Sequence, residues 1–116
     1  MIAIKRVYEK ASPKDGVRIL VDRLWPRGLS KENAKVGLWV KEVAPSNELR
    51  RWFGHDAAKW QQFQERYRTE LKEHRHDLDQ IKKKIQEGTV TLLYAARDVE
   101  HNNAIVLKKV LEGRKR

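Results

Sequence analysis

A chain of 116 residues, 40% of them hydrophobic, is long enough to bury the core of one domain without staples. It has no cysteine, which excludes disulfides, thiolate metal sites and cysteine nucleophiles. Lysine and arginine number 26 against 16 acidic residues, a net charge of +10 that attracts anions or serves solubility, and the excess is concentrated at the two ends.

The chain opens with "MIAIKRVYEK", where Lys5 and Arg6 interrupt the apolar run that a signal peptide or membrane span requires. A cytoplasmic protein with no membrane partner is therefore expected. Residues 2–8 alternate as a strand, and residues 17–22 form a second, mostly apolar one; Pro13 and Asp15-Gly16 turn the chain between them. A weaker strand pattern covers 36–43. Ser46 is placed to cap a short helix, "NELRRWF", that Gly54 stops, and Asp56 is placed to cap the next. From there Trp60, Phe63, Tyr67, Leu71, Leu78, Ile81 and Ile85 recur at helical spacing and form a core-facing stripe. An unbroken helix from there to Gly88 would be a rod of about 43 Å. A break is therefore expected at 73–77. The best strand is 89–96, and a final helix follows with Asp98 as its possible cap. Strands alternating with helices predict one α/β domain over 1–116: a small, largely parallel sheet of about four strands, flanked by helices, with a basic tail from about 113.

Polar and aromatic residues gather at three junctions that follow strands: 22–28, 41–56 and 94–103. In an open α/β sheet ligands sit beyond the carboxyl ends of the strands, so parallel strands would bring these junctions together. Arg97 and His101 flank the predicted start of the last helix, whose unpaired N–H groups suit a phosphate or carboxylate, unless Arg97 merely pairs with Asp98. Asp22 is either a carboxylate anchoring Arg23 or Arg27 or a general base, and the structural role is favoured because nearby guanidiniums lower its basicity. Trp25 and Trp52 are candidates for pocket walls, with burial in the core as the alternative. His55 and His101 are the candidate acid–base groups; His74 and His76 lack metal-ligand spacing. Neither GxGxxG nor a Walker sequence is present, and neither a metal nor a cofactor is expected. No helix-turn-helix, zinc-finger or RNA-recognition signature is readable either.

The segments "VDRLWPRGLSKENA", "LWVKEVAPSNELRRWFGHD", "FQERYRTEL" and "TLLYAARDVEHNNAIVLKKVL" resemble the YeaO-like bacterial proteins, a branch of domain-of-unknown-function family 488, over nearly the whole chain. The resemblance implies a small cytoplasmic α/β domain and no particular reaction. Signature positions of that branch match Asp22, Arg23, Trp25, Pro26, Arg27 and Gly28 in the first junction. In the second they match Trp39, Lys41, Pro45, Ser46, Trp52, Phe53, Gly54 and His55. The third contributes Tyr94, Ala96, Arg97, Asp98, His101 and Asn102. More distant relatives carry a thiol-containing segment near the third junction, which this chain lacks. "KEHRHDLDQ" also stands where relatives often have a proline-containing break.

The expected ligand is an anion, phosphorylated, nucleotide-like or derived from nucleic acid, bound or acted on in a basic, aromatic-walled pocket. Arg23, Arg27 and Arg97 would hold it, with Trp25, Lys41, Ser46, Trp52, Tyr94, Asp98 and Asn102 as further ligand contacts and His55, His101 or Asp22 moving protons. The alternatives are a non-catalytic, non-specific nucleic-acid-binding module and a structural or protein-interaction domain. Arginines clustered in one concavity would favour the small ligand; arginines spread over a flat face would favour the polyanion.

Overall fold

Four strands, β1 (Ile2–Arg6), β2 (Val17–Leu20), β3 (Leu38–Trp39) and β4 (Val90–Tyr94), form a sheet in the order β1-β4-β2-β3 in a computed structural model that describes residues 1–113. Every neighbouring pair is parallel, with Ile4 and Ile19 both in register with Leu92. All carboxyl ends therefore lie along one edge. All five residues of β4, flanked on both sides, are buried, which is why that segment reads as a continuous apolar and β-branched run.

Helices α1 (Lys31–Ala34), α2 (Asn47–Phe53), α3 (Trp60–Leu71), α4 (Arg75–Glu87) and α5 (Asn103–Leu111) connect and cover the sheet. On one face Val90, Leu92 and Tyr94 join Ile2, Ile19 and Val21 in a core with Phe53, Phe63, Tyr67, Leu71, Ile81 and Leu107 from the helices. Full burial of each such side chain contributes roughly 1.5–3 kcal/mol. On the other face Leu93, Leu20 and Val7 pack with Ala34, Trp25 and Trp39. The period of two along β2 and β4 divides their side chains between these cores.

The expected break in the long helical run occurs as a 3₁₀ turn at Lys72–His74. With that turn the run fits a domain of 35 × 31 × 20 Å, whose longest dimension a straight rod of about 43 Å would exceed. Two expectations need correction, and one element was not anticipated. The third strand is not 36–43 but two residues long, because the chain turns into a 3₁₀ helix at Lys41–Val43. Helix α1 was not anticipated; it is a single turn, capped by the Ser30 hydroxyl on Asn33 N–H and ended by Lys35 at φ 49°, too short to show a period. The cap of α5 is Asn102, whose side chain accepts from Ile105 N–H, whereas Asp98 closes a turn of its own. The basic tail beyond Gly113 lies outside the described residues. Among the described residues no helix is long and apolar enough to cross a membrane.

Arg18 sits inside β2 and is only 5% exposed. Its guanidinium donates to Asp15 at 2.7 Å and to the carbonyls of Ala34 and Lys35, so it holds the C-terminus of α1 against the sheet. Lys5 and the backbone N–H of Ser12 also donate to Asp15. Burial would raise the Asp15 pKa, but the Ser12 N–H, Arg18 and Lys5 outweigh it and hold the carboxyl below its ordinary value.

Candidate functional site

At the carboxyl edge of the sheet the loop after β2 is closed by local bonds. Trp25 Nε1 donates to the Leu29 carbonyl at 2.6 Å, and the Tyr8 hydroxyl donates to the Arg27 carbonyl at 3.0 Å. Trp39 Nε1 donates to the Asp22 carbonyl at 2.7 Å and meets Trp25 edge-on, with 5.5 Å between ring centroids. Trp25 thereby has a defined orientation. Facing this loop, α2 contributes Arg50, Arg51 and Phe53. Gly54 and His55 then reverse the chain with φ of 53° and 58°. The segment between β4 and α5 supplies Ala95, Ala96, His101, Asn102 and Asn103.

These elements enclose a cleft of about 530 Å³, inside the range of small-molecule sites. Of the residues singled out from the sequence it brings together Asp22, Arg23, Trp25, Arg27, His55, His101 and Asn102. Tyr94 is 3% exposed and faces the core. Lys41 lies over the Trp39 ring at 4.5 Å, outside the cleft. Arg97 is exposed and Asp98 part-exposed, and neither lines the cleft; His101 precedes the Asn102 cap rather than entering the first turn. Arg97 thus does not form the expected cradle with the helix start. Ser46 and Trp52 line a separate recess with Arg66 and Glu70. There Ser46 is the helix cap, donating from N and Oγ to Glu70 at 2.9 and 2.6 Å and accepting from Leu49 N–H. Trp52 is covered by the Arg66 guanidinium at 4.2 Å and by Lys59 at 5.1 Å.

Sequence reasoning missed Arg50 and Arg51. Their signal was the tandem pair in "NELRRWFG", inside the second junction, but only the orientation of α2 shows that both line the cleft. Four arginines, Arg23, Arg27, Arg50 and Arg51, therefore line one concavity, with Asp22 as its single acidic residue among the described residues; Arg27, Arg50 and Arg51 are exposed. Arg23 is partly committed, donating to the carbonyls of Ala44 at 3.2 Å and Pro45 at 3.4 Å. No salt bridge among the described residues involves Arg27, Arg50 or Arg51.

Asp22 is held from two elements. Its Oδ2 accepts from Ala95 N–H at 2.8 Å and its Oδ1 from Asn103 Nδ2 at 3.1 Å. Burial pushes its pKa above the ordinary carboxylate value, although the Ala95 N–H, Asn103 and the Arg50 charge oppose the shift. Asp98 moves the other way. The Glu100 N–H, the His101 ring and the His101 N–H all stabilise its charged form, and its pKa is lowered. Asp98 Oδ2 lies 2.9 Å from His101 Nδ1, and the imidazole meets Trp60 edge-on at 5.1 Å, so the ring is fixed at the cleft wall. Among the described residues no group of three or more histidines and carboxylates could hold a metal ion. Chemically, the cleft offers charge-assisted donors for an anion, aromatic surface from Tyr8, Trp25, Phe53 and Phe63, and one fixed carboxylate.

The family profile described as "Inactive DUF488-N3 subclade" matches residues 1–116. Uncharacterized protein Rv3073c of Mycobacterium tuberculosis is 42% identical over 116 residues, covering 97% of this chain and 95% of that protein. Uncharacterized protein YeaO of Escherichia coli is 42% identical over 106 residues, covering 91% and 92% respectively. No solved structure matches. With the profile spanning the whole chain and such relatives nearly full length, the chain belongs to the DUF488 family as a YeaO-like member of the subclade described as inactive.

Proposed function

We propose that the cleft binds a small phosphorylated or nucleotide-like anion, and that the protein is a cytoplasmic binding domain rather than a catalyst. The observation that carries this reading is the convergence of Arg23, Arg27, Arg50 and Arg51 on one concavity of about 530 Å³. Like charges crowd together at a net energetic penalty unless something neutralises them, and planar guanidiniums pair with phosphate oxygens two bonds at a time. Their concave arrangement supports a small ligand over a polyanion. The description of the subclade as inactive supports binding over turnover.

Titration of the protein with inorganic phosphate, followed by amide NMR shifts, tests the reading. One saturable site is expected, with shifts centred on residues 22–28, 50–55 and 95–103. Arg50→Ala/Arg51→Ala should weaken it by at least about tenfold, the loss expected for charge-assisted bonds. Absence of saturable binding would overturn the proposal. So would tight duplex-DNA binding that falls steeply with salt and ignores the double variant, since the basic charge would then serve a polyanion.

A further inference from the structure

A site that held a bare anion would gain nothing from a carboxylate among its arginines, because the two negative charges repel. Yet Asp22 lines this cleft, and none of the four arginines forms a salt bridge with it. A carboxylate has about four lone-pair sites on its two oxygens. The protein uses one on each, through Ala95 N–H and Asn103 Nδ2. Each oxygen keeps a second acceptor site, and the two bonds hold the carboxylate plane still. A pair of acceptor sites, one on each oxygen, therefore remains on a carboxylate fixed before any ligand arrives.

Such a pair is complementary to two adjacent, parallel N–H donors. Among the common neutral nucleobases only guanine carries them, as its N1–H and 2-amino group. Adenine and cytosine place one amino group beside a ring acceptor, and uracil has one N–H between two carbonyls. A base of this kind would also find aromatic surface in the same cleft, where Trp25 is oriented by its bond to Leu29 and its contact with Trp39.

We infer that the ligand is a guanine nucleotide, its phosphate held by the cleft arginines and its base selected by Asp22. The inference rests on the anion-binding reading above and adds the chemistry of the other end of the ligand. Asp22 is then the specificity-determining residue, and its ties to β4 and α5 position it.

The test is a calorimetric series on the full chain with 5′-GMP, 5′-IMP, 5′-AMP and inorganic phosphate. GMP should bind about 10- to 100-fold tighter than AMP, the range expected for hydrogen bonds to a charged partner. IMP, which keeps N1–H but lacks the amino group, should fall between them. Asp22→Asn, which replaces one acceptor by a donor, should bring GMP and AMP to within about threefold, while inorganic phosphate, no longer repelled by the carboxylate, should bind at least as tightly as to the wild type. This variant also loses one of the two protein bonds; if it fails to fold, the wild-type series decides alone. Equal affinities for GMP and AMP alongside phosphate binding would overturn the selection by Asp22 and spare the anion site. No binding of any of the four would overturn both.

Discussion

Arg23 and Arg27 lie four residues apart on one loop, line one cleft and carry the same charge, yet their alanine variants should differ in what they cost the unliganded fold. The Arg23 guanidinium bonds the carbonyls of Ala44 and Pro45, two buried residues that join the 3₁₀ turn at 41–43 to α2. Those bonds are long, at 3.2 and 3.4 Å, so their loss in Arg23→Ala should cost about 1–2 kcal/mol. In a domain of this size that lowers Tm by roughly 4–8 °C. The Arg27 side chain is exposed and its contribution to the closed loop is a backbone carbonyl, which alanine keeps. Arg27→Ala should therefore stay within about 0.5 kcal/mol of wild type. The effect of Arg27→Ala appears when phosphate is added. At ten times its Kd, phosphate should stabilise the wild type by about 1.4 kcal/mol; a tenfold loss of affinity in Arg27→Ala would leave about 0.4 kcal/mol at the same concentration. Thermal melts with and without phosphate measure both effects in one series. If Arg27→Ala falls in Tm as far as Arg23→Ala and keeps the full phosphate shift, Arg27 is a strut and the reasoning fails.

Gly16→Ala should destabilise the fold by about 3 kcal/mol or more, because a Cβ there would stand 2.1 Å from the Thr89 carbonyl oxygen at a φ of 65°. A urea midpoint within error of wild type would contradict it. Tyr67→Phe should cost about 1–2 kcal/mol by removing the buried hydroxyl that donates to the Val43 carbonyl; a loss below about 0.3 kcal/mol by the same assay would show that bond to be dispensable. Acid stability should divide between two carboxylates. Asp15, lowered in the fold, stabilises above its ordinary value of 3.8 and loses that contribution as pH falls through its folded pKa, so Asp15→Asn should flatten acid unfolding. Asp22 is raised, so its contribution is present below 3.8 and lost as pH rises through its folded pKa. The stability of wild type relative to Asp22→Asn should therefore grow as pH is lowered from 7 toward 4, and a constant difference in urea titrations would refute this.

Much of the local structure was legible along the chain because its causes act within a turn or two. Ser46 and Gly54 bound α2, the stripe from Trp60 to Ile85 faces the core, and Gly88 stops α4. The junctions at 22–28, 41–56 and 94–103 were legible too, since parallel strands carry their loops to one edge. Asp98 and Asn102 were both competent to cap α5, and no local rule ranks them; the choice follows from the turn in which Asp98 engages Glu100, His101 and the imidazole.

Composition and periodicity alone determined the α/β class, the longer elements and the basic character of this protein, because backbone propensity, capping and amphipathic period are properties of neighbouring residues. Tertiary structure alone decided which arginines share the cleft, why Arg23 is bound and Arg27 is not, and that Asp22 is clamped by Ala95 and Asn103. Those two partners lie 73 and 81 residues further along the chain. Contacts of that span form only when β4 enters between β1 and β2 and the last helix closes over the edge, and nothing in the local sequence encodes the distance they bridge.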